Sequence, residues 1–89
     1  MPGAEEADEL GAEALASAFG ALVRRRRTSL RITQDDLALS TGLGRRFIID
    51  LEAGKSSCRL GPSLKVLAAL GVNLPLTVAD ASPASKKQR

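Results

Sequence analysis

Arg45 and Arg46, followed at helical spacing by Ile49 and Asp50, form the grouping in this sequence best suited to recognising another molecule. A guanidinium presents a rigid fork of donors that fits the N7 and O6 acceptors of a guanine edge, and a carboxylate accepts from a cytosine amino group. Asp50 lies four residues after Arg46, so it could equally serve to hold that side chain in position. Phe47 falls between the inner and outer faces and reads as core rather than as a contact for a thymine methyl. Catalysis lacks its usual components. There is no His, and Cys58 is the only Cys, which excludes a zinc site, a Cys-His pair and a disulfide within one chain. No glycine-rich phosphate loop and no convincing acid pair is present, so the chain is read as a non-enzyme without cofactor or metal.

The elements that must position these side chains are read from Thr33 to Gly54, TQDDLALSTGLGRRFIIDLEAG. Leu37, Ala38 and Thr41 recur at the spacing of one helix face, Asp35 and Asp36 sit early where the helix dipole favours acids, and Thr33 is a ready N-cap. Gly42 allows a positive φ, and Leu43 puts an apolar side chain into the turn. A second helix begins near Gly44 with Ile48 and Leu51 on its inner face, and Gly54 ends it. Ala38 falls where crossing helices need a small residue. Together these positions match a helix-turn-helix, which sends the N-terminal end of its second helix into the DNA major groove. The plainer alternative is a helical hairpin with no ligand, and the exposed arginines weigh against it.

Charge distribution agrees. Residues 1–20 carry five acids and no Lys or Arg, whereas residues 21–89 carry 13 basic side chains against five acidic ones. The second part has the balance of a polyanion binder. Aromatic content of 2% argues against stacking single-stranded bases. No secretory leader and no membrane-length apolar run is seen, so a soluble cytoplasmic protein is expected.

Residues 1–11 read as a mobile acidic tail, residues 12–78 as one domain and residues 79–89 as a disordered basic tail. Leu15, Phe19, Leu22, Val23 and Leu30 predict a first helix ending near Ser29, weakened at Gly20 by about 1 kcal/mol relative to Ala. Arg24 to Arg27 splay over more than half of its circumference. Arg24 and Arg25 are candidates for phosphate contact or for plain solvation, and Arg27 faces inward toward Glu52. Lys55 and Ser56 could also hold backbone phosphate, with Gln34 adding to that set below. Leu60, Leu64, Leu67 and Leu70 predict a last helix with Pro62 in its first turn, closing the core against the first helix. Alternation of Val72, Leu74, Leu76 and Val78 then predicts a strand, whose economical mate is the same strand of a second copy.

With these residues in view the chain resembles the Xre-type, lambda-repressor-like helix-turn-helix family over about residues 18–78, and within it the HipB-type antitoxins. TQ opening the motif and LEAGK closing it carry the first likeness. RLGPSLKVLAALGVNLPLTV, a closing helix followed by a short apolar strand, carries the second. The resemblance implies a mainly α fold of four to five helices with a C-terminal strand paired across a homodimer. It also implies binding to palindromic operator DNA, repression of its own operon in association with the nucleoid, and pairing with a HipA-like serine/threonine kinase toxin. By the same resemblance Gln34 anchors DNA backbone, Arg45, Arg46, Ile49 and Asp50 face the bases, and Arg27 with Glu52 forms a buried ion pair. Two departures stand out: Gly44 replaces a common Ser or Thr cap, and Arg31 replaces a common Gly. A stand-alone Xre regulator shares all these DNA-facing residues, and an adaptor that has lost DNA binding is a further alternative.

Overall fold

The computed structural model describes residues 4–73, and among them the chain is entirely helical and irregular. Four helices follow in order: α1 Ala4–Ser29, α2 Gln34–Thr41, α3 Arg45–Glu52 and α4 Leu60–Ala69. Of the strand predicted over 72–78, Val72 and Asn73 are described and irregular, the Val72 N–H returning to the Leu67 carbonyl at 2.9 Å; the remainder and the basic tail over 79–89 lie outside the described residues.

At its start α1 differs from the tail read from the sequence. The backbone is helical from Ala4, because Ala, Glu and Leu are good helix formers, and it breaks at Gly11, where φ is 70° and ψ is 155°. Beyond that break the helix runs unbroken to Ser29. Val23 is fully buried, Phe19 and Leu22 are half-buried, and Leu15 and Leu30 are exposed. Leu30 falls past the last helical residue, so it leaves the face that the spacing had given it.

The motif between α2 and α3 is built from local interactions. Thr33 caps α2, its hydroxyl accepting from the Asp36 N–H at 3.0 Å, while the Asp36 carboxylate accepts from the Thr33 N–H at 3.0 Å. This reciprocal box satisfies two donors that the helix start leaves open. The Thr33 N–H, and then its hydroxyl, hold the Asp36 carboxyl below its ordinary range. Gly42 takes φ 74° and lets the Leu43 N–H reach back to the Ala38 carbonyl at 3.2 Å, so α2 stops and the chain turns toward α3.

The first helix ends in the same kind of hydrogen-bonded loop, but with Arg31 rather than glycine in the left-handed region at φ 61°. The Ile32 N–H returns to the Arg27 carbonyl at 3.4 Å and the Arg31 N–H to the Thr28 carbonyl at 3.0 Å. A side chain in that conformation costs about 1 kcal/mol.

The core consists of Val23, Leu37, Ala38, Ile48, Leu51, Val66, Leu67 and Leu70. The last helix packs chiefly on α2 rather than closing against α1. Its inward stripe is Ser63, Val66, Leu67 and Leu70, so Leu64 is only half-buried and Leu60 is 70% exposed. Ser63 tolerates burial because its hydroxyl donates to the Arg59 carbonyl at 2.6 Å.

Gly20 has a role opposite to the one its helix propensity suggests. A methyl built there would overlap the carbonyl oxygen of Leu51 and come within 2.9 Å of that of Glu52, so α1 crosses α3 with backbone on backbone. Gly20→Ala is therefore expected to lower unfolding free energy by about 1–3 kcal/mol through overpacking, despite the gain in propensity. Urea denaturation of the two proteins measures this, and an unchanged or raised midpoint would contradict the close crossing.

Candidate nucleic-acid interface

Orientation of α3 comes from one buried ion pair. Arg27, near the end of α1, donates through Nε to Glu52 Oε2 at 2.6 Å and through Nη2 to Glu52 Oε1 at 2.9 Å. Its third nitrogen, Nη1, donates to the Ile32 carbonyl at 2.9 Å. The two side chains are 11% and 5% exposed, so little water competes for them. The Glu52 carboxylate raises the Arg27 pKa further, chiefly through the hydrogen bond, so the guanidinium stays charged. Glu52 Oε1 also accepts from Gln34 Nε2 at 3.2 Å. One carboxylate thus ties together the end of α1, the start of α2 and the end of α3.

Gln34, at the first position of α2, borders two open clefts. One is lined by Arg24, Arg27, Ile49, Glu52 and Ala53, and the other by Thr28, Arg31, Thr33, Asp35 and Arg45 among others. Arg24 thereby lies beside Ile49, in the cleft that borders the C-terminal half of α3. Arg25 is exposed and lines neither cleft. Arg26 has a structural task that sequence reasoning missed: its Nε donates to the Leu70 carbonyl at 2.9 Å and so closes the C-terminal end of α4. No local signal reveals that bond, because it spans 44 residues.

Both arginines at the start of α3 reach outward. Arg45 is 60% exposed and pairs with Asp35 of α2 at 3.1 Å. Arg46 is 78% exposed and pairs with Asp50 at 3.3 Å, one helical turn along. The second oxygen of Asp50 lies 3.7 Å from Lys55 Nζ, so this half-buried carboxylate stands between two cations. That geometry favours the positioning role for Asp50. Asp35 is a participant that the sequence reading placed only as a helix-start acid. Ile49 is half-buried, and Phe47 packs against the core.

Gly44 caps α3 with backbone alone, with no side-chain hydrogen bond, so the end that carries Arg45 and Arg46 is held by packing of Ile48 and Leu51. At the other end the Gly54 N–H returns to Leu51 and the Lys55 N–H to Asp50, both at 3.0 Å, which fixes the loop carrying Lys55 and exposed Ser56. Burial pushes the Cys58 thiol up, Asp50 adds to the rise and Lys55 opposes it, so its surroundings disfavour the thiolate. Among the described residues no three His, Cys, Asp or Glu side chains cluster as a metal site would require, and no helix is long and apolar enough to cross a membrane.

Comparison with known proteins adds to this geometry. A family model described as Helix-turn-helix matches residues 23–76, more than half of the chain. The chain is 47% identical over 58 residues to the "Uncharacterized HTH-type transcriptional regulator y4mF" of Sinorhizobium fredii (strain NBRC 101917 / NGR234), an alignment covering 65% of this chain and 76% of that protein. No solved structure matches the chain.

The central ion pair yields a test. Glu52→Gln is expected to cost about 3 kcal/mol of stability, because Arg27 keeps its charge in a site with little water. The double variant Arg27→Met with Glu52→Leu should lose less than the sum of the single losses. Urea denaturation of the set measures the coupling, and simple additivity would show that the pair does not act as a unit.

Proposed function

The chain belongs to the helix-turn-helix family, and from that membership we propose that it is a DNA-binding transcriptional regulator that lays α3 into the major groove. The observation that carries this reading is the pair of outward guanidiniums, Arg45 and Arg46, at the N-terminal end of a helix fixed from behind by Arg27 and Glu52. In a helix-turn-helix that end meets base edges. Arg45 and Arg46 act as the principal readers, with guanine N7 and O6 as their simplest targets, and Ile49 adds apolar contact. Asp50 holds Arg46 and Lys55 in place. Gln34, Arg24, Lys55 and Ser56 bind backbone phosphate, with Arg25 a more distant contributor. The transcriptional name of the Sinorhizobium relative supports the same assignment.

The finer reading is that of a HipB-type antitoxin. It rests on the resemblance of the C-terminal part, residues 59–78, and entails a homodimer joined through the strand of Val72, Leu74, Leu76 and Val78. That dimer represses its own operon from a palindromic operator in the cytoplasm and neutralises a HipA-like serine/threonine kinase toxin. A stand-alone regulator uses the same DNA-facing residues, and the name of the relative, a transcriptional regulator, is common to both readings. Stoichiometric recovery of a kinase-like protein with the tagged chain from its native host supports the antitoxin. Its absence from cells that express the neighbouring genes supports the lone regulator.

Selection of duplex DNA from a random pool, followed by footprinting, tests the DNA reading. The expected operator has two half-sites about one helical turn apart or a multiple of it. Arg46→Ala should cost about 1–3 kcal/mol on that operator and relax preference at one base pair. Equal loss on operator and random duplex would remove Arg46 from the readers, and failure to enrich any sequence would remove the sequence-specific function.

A further inference from the structure

Arg31 belongs to none of the groups above, yet three observations single it out. It occupies the left-handed position at the end of α1, at φ 61°, where a glycine would fit without strain. Its residue lines the open cleft that also holds Thr28, Gln34 and Arg45. Among the described residues its guanidinium makes no ion pair, whereas Arg27, Arg45 and Arg46 each face a carboxylate. Strain at a backbone position persists where the side chain it carries has a use.

The cleft explains what that use is. It lies between the turn after α1 and the start of α3, on the same side as the outward arginines, and its cations are Arg31, Arg45 and the buried Arg27. Arg45 is already partnered by Asp35 and Arg27 by Glu52. The positive charge left uncompensated at this rim is therefore that of Arg31. A DNA duplex with α3 in its major groove presents phosphates at the groove edge, against the elements that flank the reading helix.

We infer that Arg31 is a phosphate-binding residue of the DNA complex, holding the sugar-phosphate backbone beside the reading helix at the expense of its own backbone strain. This rests on the DNA-binding function proposed above. Such a contact carries no sequence information and releases a condensed counterion when it forms.

Arg31→Gly separates this role from a structural one, because strain and binding then move in opposite directions. The variant should melt at a higher temperature than the wild type, since a glycine takes the left-handed turn freely. It should bind operator and random duplex more weakly by the same factor, and the slope of log affinity against log salt should become shallower by about 0.9. Arg31→Asn, which tolerates the left-handed turn but lacks the charge, should show the same shallower slope, and Arg31→Lys should keep the wild-type slope. Unchanged affinity and slope in Arg31→Gly would overturn the assignment, as would a loss confined to the operator. A wild-type protein without salt-dependent duplex binding would instead overturn the function on which the assignment rests.

Discussion

A single carboxylate, that of Glu52, is the interaction on which the structure depends. Its two oxygens take a forked pair of hydrogen bonds from Arg27 and a third from Gln34, while Arg27 also holds the Ile32 carbonyl. A buried charge pair adds little net stability when complete, because desolvation offsets the attraction, yet it is severely destabilising when one partner is removed. The pair therefore acts less as glue than as a geometric lock. It fixes the end of α3 against the end of α1 and brings the start of α2 to the same point. Gly20 completes the lock, since only the missing side chain lets α1 approach the Leu51 and Glu52 carbonyls.

This arrangement matters because the motif helices are short. With 8 residues each, α2 and α3 are too short to persist alone, and their helical state comes from packing and end interactions. The second helix has a reciprocal cap, but the third begins at an uncapped glycine. The end of α3 that carries Arg45 and Arg46 is thus the less firmly held one, while its far end is locked by Glu52 and by the Gly54 turn. Around the arginines, Asp35 and Asp50 keep the surface from being uniformly basic. Mixed charge of this kind limits indiscriminate attraction to phosphate and leaves discrimination to the geometry of the base edges.

Much of the fold was legible because it is written locally. Thr33 as a cap, Gly42 as a turn, and Ile48 with Leu51 as an inner face each follow from neighbours within one or two helical turns. In the inward stripe of α4, Leu67 and Leu70 are buried as the spacing predicts, but Leu60 and Leu64 give way to Ser63 and Val66, because a leucine looks as buriable as a valine and only the docking of α4 on α2 decides the phase. Gly20 read as a weak point, since propensity knows nothing of the α3 backbone lying across it. The same limit hid the bond of Arg26 to the Leu70 carbonyl and the pairing of Asp35 with Arg45, which bring together residues from separate elements. Helical phase indicated that the four consecutive arginines could not share one task, but their division of labour needed the tertiary arrangement.

The most direct test of the account is a titration of isotopically labelled protein with operator duplex, followed through backbone amide NMR shifts. The largest changes are predicted over residues 44–50 and at the start of α2, with smaller ones at Lys55 and Ser56, on the edge of the side that carries exposed Leu15 and Leu60. Shifts centred on that Leu15 and Leu60 side, with α3 unperturbed, would contradict the placement of DNA on the face that the Arg27–Glu52 lock presents.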